Sequence, residues 1–479
     1  MIITNNINKP HIDKIQTDII SPVDGEKISE IRFTTIDGLE NIVKKAEEAF
    51  QKWSSKTLKS RTTVLFNYRD RLEKNRHQIT DLIRKENGKT IDEADAEVSK
   101  AIEVVEFATS LQNQPLGVHL EVSKGVFCQS TREPLGVVSS ITPFNFPCMV
   151  PNWTIPIALV LGNAMILKPS EKTPLTAHLL ADILKDSGLP DNVFQVVDGG
   201  ENIVNAICEH PQIKAISFVG STNVAKLVYQ KATHHLKSAV CLGGAKNHLL
   251  VLPDANPDMT ASNVVASMSG CAGQRCMAAS VMVGVGNIDN IVKLIVDKSK
   301  KLVLGKDIGA VITSDSVKKI EAYITEAIEQ GANVLLDGRG SIIPETPNGF
   351  YVGPTVLDNV TPDMQIAKEE VFGPVLSIIR THSIDEALNI QNASLYANGA
   401  SVYTNSGSKA SYVSSRLQAG MVGINIGIPV PREPFSFGGV KESKFGSSDI
   451  TGESSIHFWT SLKKVTTKWN AEDQIDWMS

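Results

Sequence analysis

Basic residues are in short supply: 47 Lys and Arg stand against 52 Asp and Glu, for a formal charge of −5. Without a positive excess there is no electrostatic footprint for nucleic acid, and no such partner is expected. Cysteine is sparse and unpatterned. Cys128, Cys148, Cys208, Cys241, Cys271 and Cys276 form no CxxC or CxxH pattern, which argues against a zinc site or a disulfide scaffold. Long apolar runs are missing too. The longest, Ile155 to Leu167, is broken by Pro156, Gly162 and Asn163 and falls short of a bilayer span. Residues 1–20 lack both the apolar block of a secretory signal and the Arg-rich pattern of a transit peptide. The expected location is the cytoplasm, away from any membrane. Repeats, low-complexity tracts and polar linkers are absent, and so is the GxGxxG fingerprint of many dinucleotide sites.

What remains is the balance of a globular protein, 42% hydrophobic and 21% charged. At 479 residues it is too long for one ordinary core, so two or three folding units are expected. Leu39, Ile42, Val43, Ala46, Ala49 and Trp53 recur at helical spacing, which predicts a helix over 37–53 with Asp37 as its N-cap. Helical patterning continues to about residue 110. Shorter alternating runs over 115–141 suggest a strand excursion. From Ala164 onward strand and helix patterns alternate, which predicts a parallel sheet covered by helices, with ligands at the carboxyl ends of its strands. A second α/β pattern follows, including a strand at Val281–Val285. The chain closes on Phe458-Trp459 and Val465 to Trp469, an expected edge strand whose exposed aromatics suit a subunit contact, or alternatively a local hairpin.

Four segments carry residues suited to chemistry. Leu167-Lys168-Pro169-Ser170-Glu171 sends a Lys and a Glu off one strand tip. A carboxylate there can accept both ribose hydroxyls and would repel the extra phosphate of NADP; a solvated Lys–Glu turn is the competing reading. Phe218-Val219-Gly220-Ser221-Thr222 runs from a strand into a helix start, suited to a pyrophosphate or to simple capping. In Ser269 to Ala278, small residues permit close backbone approach and Arg275 adjoins Cys276. A neighbouring cation could favour thiolate over thiol in Cys276, against the structural role that is usual for an isolated cysteine. Cys271 lacks that adjoining cation and is expected in the core. Asn145, flanked by aromatics and prolines in Thr142 to Pro147, is either a rigid oxyanion donor or an Asn bonded to its own turn.

The segments TPFNFP, ILKPSEKTP, ISFVGST, GQRCMA, EEVFGPV and FSFGGVKES follow one another as they do in the aldehyde dehydrogenase superfamily. The resemblance runs from about residue 20 to 470. It implies an α/β fold with a Rossmann-like NAD-binding domain (1–114 and 135–246) and a second α/β catalytic domain (247–448). A small β excursion (115–134 and 449–479) would bridge subunits of a homo-oligomer, a dimer or tetramer. By the same resemblance Cys276 is the nucleophile, and Asn145 with the Cys276 backbone N–H forms the oxyanion hole. Phe144, Lys168, Ser170 and Glu171 would belong to the NAD site, with Lys168 and Glu171 at the adenosine ribose. Gly220 and Ser221 would lie by the pyrophosphate, Glu370 at the nicotinamide ribose and Phe372 beside the ring. No metal is implied.

Gly244-Ala245-Lys246-Asn247-His248, Pro253-Asp254-Ala255-Asn256, Arg275 to Ala278 and the tail Phe458 to Lys463 resemble the methylmalonate-semialdehyde dehydrogenase group. Most aldehyde dehydrogenases carry a Glu general base just before the Gly-Gly of this region; here the run is Cys241-Leu242-Gly243-Gly244. Without a base, water attacks a thioester slowly, so a thiol co-substrate, coenzyme A, is expected. The rival expectation is a hydrolytic enzyme using another base; a non-catalytic protein on the same fold is a further one. Arg275 could pair with a carboxylate of the aldehyde substrate. The group's second carboxylate-binding Arg aligns with Lys100, which is charged but lacks the planar fork. Ala225 and Lys444 stand where relatives carry Gly.

Overall fold

The computed structural model describes residues 15–469. Residues 1–14 and 470–479, which the expected division assigns to the first domain and the tail, lie outside the described residues. Four helices open the chain, at Ile36–Ser54, Leu58–Lys74, Arg76–Asn87 and Ile91–Ser110. The first is capped by Thr35, whose hydroxyl accepts a 3.0 Å hydrogen bond from the Gly38 N–H. Asp37, expected as the cap, sits in the first turn instead. The extended residue just outside the helix is the one that can aim its side chain at the third N–H, while Asp37 complements the positive end of the helix dipole.

Strand–helix alternation builds two sheets. The first has six strands in the spatial order Lys444–Phe445, Ser238–Leu242, Ile213–Val219, Val137–Ile141, Ala164–Lys168, Phe194–Val196. The last five run parallel. Every side chain of Val137–Ile141 and of Ala164–Lys168 is buried, as in parallel sheets covered on both faces. The chain enters at Val137–Ile141, steps outward to Phe194–Val196, then crosses to the opposite side at Ile213–Val219. That reversal opens a crevice at the carboxyl ends of the central strands.

The second sheet has seven strands, in the order Asn333–Leu336, Thr355–Asp358, Val375–Thr381, Val281–Val285, His248–Val251, Gly399–Tyr403, Met421–Ile424. Only the outermost pair, Asn333–Leu336 with Thr355–Asp358, is antiparallel. The turn carrying Cys276 precedes Val281–Val285, so it meets the first sheet from the amino-terminal side of the second.

A third, antiparallel sheet joins Thr460–Lys468 to Val126–Pro134 and Val118–Ser123. The tail is therefore an edge strand rather than a local hairpin. Its expected exposed aromatics need correction: Phe458 and Trp459 are buried, and of the tail aromatics among the described residues only Trp469 is open. They end the helix Gly452–Phe458 and turn inward, where the Asn163 amide donates to the Trp459 carbonyl at 3.0 Å. The outward apolar groups are Val118, Leu120, Val122, Leu462 and Val465. Among the described residues, no helix is long and apolar enough to cross a membrane.

Candidate active site

The carboxyl ends of four first-sheet strands open onto a cavity of about 710 Å³. Val137–Ile141 contributes the Thr142–Phe146 loop, Ala164–Lys168 contributes Lys168, Ser170 and Glu171, Ile213–Val219 contributes Gly220 and Ser221, and Ser238–Leu242 contributes Gly243 and Gly244. Gln274, Cys276, Glu370 and Phe372 form part of the facing wall. Ten residues singled out from sequence thus share one cavity: Phe144, Asn145, Lys168, Ser170, Glu171, Gly220, Ser221, Cys276, Glu370 and Phe372. Arg275 and Lys100 are not among its lining residues.

At one end, the Lys168 ammonium lies 3.4 Å from the half-open Glu171 carboxylate. Burial lowers the Lys168 pKa against the pull of Glu171. Burial pushes Glu171 the other way, but Lys168, its own backbone N–H and Lys172 outweigh that and hold it below the ordinary carboxylate range. Ser221 precedes the helix Thr222–His234 without capping it, so the N–H groups of the first turn remain available to an anion. Ala225 is fully buried in that helix.

Toward the other end, Glu370 accepts from the Ala245 N–H at 3.0 Å. A Cβ on Gly244 would lie 2.5 Å from its carboxylate, so only glycine lets the two approach. Burial raises Glu370 to about pKa 7, opposed by the Ala245 N–H and by Lys246 and Lys319. The Phe372 ring meets Phe144 edge-on at 5.9 Å. A carboxylate at one strand tip, an open helix start midway and a glycine-walled carboxylate beside Cys276 suit an extended dinucleotide.

Cys276 is reached through a strained turn. Cys271 and Ala272 both have φ of +51°, followed by Gly273 at +71°, a run that costs L-residues free energy and recurs at functional sites. A Cβ on Gly273 would lie 2.0 Å from the Gly373 carbonyl oxygen, which packs this turn against the Phe372 segment. The Gln274 N–H closes the turn on the Cys271 carbonyl at 2.9 Å, and the Cys271 N–H donates to Glu93. Beyond it, the amides of Asn247 (2.9 Å) and Asn398 (3.2 Å) both donate to the Cys276 carbonyl. Asn145 is buried, and its amide donates to the Gln274 carbonyl at 2.9 Å, so it is bonded across the cavity rather than to its own turn.

The expected Arg275–Cys276 pairing needs correction. The Arg275 Nε lies 3.2 Å from the Sγ of Cys271, and its guanidinium is 3.7 Å from Glu93. Cys271 is buried, as expected, but it is the thiol that carries the cation. Cys276 is pushed up to about pKa 12 by burial first and then by the Glu370 charge, with Arg275 opposing only in part. The reversal at 271–273 explains this: it sends the Arg275 side chain back along the turn. Lys100 sits on the helix Ile91–Ser110 with its ammonium 2.6 Å from Glu103. Sequence patterns do not reveal Glu93, Gln274 and Asn398 as supports of the turn, and they offer Asn247 only as a marker of resemblance. Among the described residues, no group of three or more His, Cys, Asp or Glu is arranged to hold a metal ion.

The aldehyde dehydrogenase family pattern matches residues 11–465. A malonate-semialdehyde dehydrogenase of Bacillus velezensis is 42% identical over 464 residues, 95% of each chain. The crystal structure of a methylmalonate-semialdehyde dehydrogenase from Oceanimonas doudoroffii superposes with a TM-score of 0.94 at 38% identity, covering 98% of this chain and 97% of that one. A betaine aldehyde dehydrogenase from Staphylococcus aureus, solved with NAD+, gives a TM-score of 0.90 at 26% identity over 97% of this chain and 94% of its own. With a match over nearly its whole length and a cavity that gathers the cysteine, the amide and the strand-tip carboxylate, this chain belongs to the aldehyde dehydrogenase family.

Proposed function

We propose that this enzyme oxidises a small carboxylated aldehyde with NAD through a thioester on Cys276 and passes the acyl group to coenzyme A. Malonate or methylmalonate semialdehyde would give acetyl-CoA or propionyl-CoA and CO2. One observation carries the acyl-transfer half. Cys241 occupies the position of the usual Glu base, and its side chain is buried in the strand Ser238–Leu242 and does not line the cavity.

In this mechanism the Cys276 thiol gives up its proton to solvent, the thiolate adds to the aldehyde carbon, and the carbonyl oxygen takes up negative charge. The Asn145 amide and the Cys276 N–H donate to that oxygen. A bound NAD supplies the acceptor for the hydride, leaving the acyl group as a thioester. Lys168 and Glu171, the Gly220-Ser221 turn and Glu370 are the residues that would hold it. If the acyl group carries a β-carboxylate, its C–C bond breaks, CO2 leaves, and the electron pair enters the thioester as an enolate, which then takes a proton at carbon. The coenzyme A sulfur finally attacks the thioester carbon, and the Cys276 thiolate departs.

Arg275, a third of whose side chain is exposed, and Lys100 offer cations to the substrate carboxylate outside the main cavity. Lys100 cannot form the two parallel hydrogen bonds of an Arg, so the enzyme should discriminate less sharply against uncharged aldehydes. The exposed valines and leucines of the third sheet support a homo-oligomer built through that sheet. Six free cysteines fit a reducing compartment such as the cytoplasm.

The test is to mix enzyme, NAD and malonate semialdehyde with and without coenzyme A, following NADH and identifying products by mass spectrometry. Without coenzyme A, about one equivalent of NADH should form per site before the reaction stalls; with it, turnover continues and acetyl-CoA accumulates. Steady release of free acid at an undiminished rate without coenzyme A would favour a hydrolytic enzyme. Glu370, at about pKa 7 in the cavity, is the base it would have.

A further inference from the structure

Behind Asn145 lies an ion pair that this chemistry does not use. Lys89 and Glu97 are bonded to each other with both side chains essentially inaccessible. Burying two charges is costly, and packed apolar residues often do as well for stability alone. The pair must therefore be judged by what its hydrogen bonds hold.

The Lys89 ammonium donates to the Asn145 backbone carbonyl at 2.6 Å and lies 3.8 Å over the Phe146 ring. Glu97 accepts from the Cys148 and Met149 N–H groups at 2.8 and 3.0 Å. The loop is thus gripped on both sides of Phe146-Pro147. Across the cavity, the Asn145 amide donates to the Gln274 carbonyl, and the Gln274 side chain donates to the Ala310 carbonyl at 3.2 Å. The Ala310 N–H donates to the Gly88 carbonyl at 2.8 Å, and Gly88 is the neighbour of Lys89. A circuit of hydrogen bonds therefore runs from Lys89 through Asn145, Gln274 and Ala310 to Gly88, and the Gly88–Lys89 peptide bond closes it.

We infer that Lys89, locked by Glu97, is a positioning residue that sets the Asn145 amide for the oxyanion, an inference resting on the oxyanion role proposed above. One amide hydrogen of Asn145 is taken by Gln274, so the other has its direction fixed by the backbone, and the backbone is held by Lys89. An oxyanion donor works only within a few tenths of an ångström of its place, and a displacement of about 1 Å can cost about a hundredfold in rate.

The test uses the acylation burst with p-nitrophenyl acetate, which needs no cofactor: the Cys276 sulfur displaces p-nitrophenolate and keeps the acetyl group. K89M/E97Q removes both charges, so neither is stranded. Its burst should slow by about tenfold to a hundredfold, while alkylation of Cys276 by iodoacetamide, which forms no oxyanion, stays within about twofold. In an Asn145→Ala background, adding K89M/E97Q should cost less than about twofold more, because the two act as one unit. If K89M/E97Q does not fold, K89Q/E97Q keeps a polar pair that stops short of the Asn145 carbonyl, with the same expectations. Losses that add in full to an Asn145→Ala defect, or an equal fall in alkylation, would overturn the inference alone. Asn145→Ala acylating at the unmodified rate would overturn the oxyanion reading and the inference with it.

Discussion

At the Cys276 end of the cavity, nearly every group is spoken for. Two amides hold the Cys276 carbonyl, the Asn145 amide is bonded to Gln274, and the turn is forced through two left-handed non-glycine residues. At the Lys168–Glu171 end, one carboxylate is half open and its partner ammonium stands at 3.4 Å. Chemistry on a carbonyl needs groups fixed in place before the reaction begins. Recognition of ribose hydroxyls needs only a charge of the right sign within reach, so exposure is tolerated there. Substitutions of the groups proposed to touch the reacting carbonyl should therefore cost orders of magnitude at the first end, and those at the second end small factors.

The largest contrast is expected within the turn itself. Cys276→Ala should lower NADH formation by about 10⁴-fold or more, since it removes the sulfur proposed to form the thioester. Cys271→Ala should change it by less than about twofold, because a buried thiol bonded to Arg275 can be replaced by a small apolar group at modest cost. Single-turnover NADH bursts on both variants measure this directly. A comparable loss in both would mean that the cation on Cys271 matters more to the reaction than the geometry at Cys276.

A smaller effect should sharpen the electrostatic side. The Glu370 charge is the second cause, after burial, of the raised Cys276 pKa of about 12. Glu370 itself ionises around pH 7, so above that pH its negative charge opposes thiolate formation. Glu370→Gln removes the charge while keeping an acceptor for the Ala245 N–H. The alkylation profile of free enzyme should move to lower pH, with the rate at pH 8 rising by about three- to tenfold. An unchanged profile would show that burial alone sets the thiol.

Much of this arrangement is legible in the sequence. The strand at Val281–Val285 appears where its apolar run places it, and the motif-borne residues Asn145, Lys168, Glu171, Gly220, Cys276 and Glu370 line one cavity. Lys168, Glu171 and Gly220 are readable because they leave the ends of strands whose apolar runs are plain, whereas Asn145, Cys276 and Glu370 are picked out only by the resemblance of their motifs to the family. Arg275 defeats such a reading because adjacency in sequence is a poor guide where the backbone reverses over two left-handed residues. Lys89 and Glu97, eight residues apart, resemble any solvated pair, and only the packing of the helix Ile91–Ser110 against the Asn145 loop buries them. Asn398 gives no local signal because its partner carbonyl lies 122 residues away. Local patterns report which residues leave an element; the sheet crossover decides which of them meet.

The smallest expected effect tests the open end. Glu171 is held below the ordinary carboxylate range, so it is charged at any pH near neutrality. In the proposed role, a charge there would repel the additional phosphate of NADP and accept from ribose hydroxyls. Because the carboxylate is half exposed and faced by Lys168, solvent and salt screen much of that repulsion. Glu171→Gln should therefore narrow the preference in kcat/KM for NAD over NADP by only about five- to tenfold, mostly through KM for NADP. The acylation burst with p-nitrophenyl acetate should be untouched, since it does not involve this end of the cavity. The released Lys168 ammonium adds to the effect by becoming free to meet a phosphate. Raising the salt should shrink the unmodified enzyme's preference toward that of the variant, whereas equal efficiency with both cofactors in the unmodified enzyme would remove Glu171 from the recognition of the ribose.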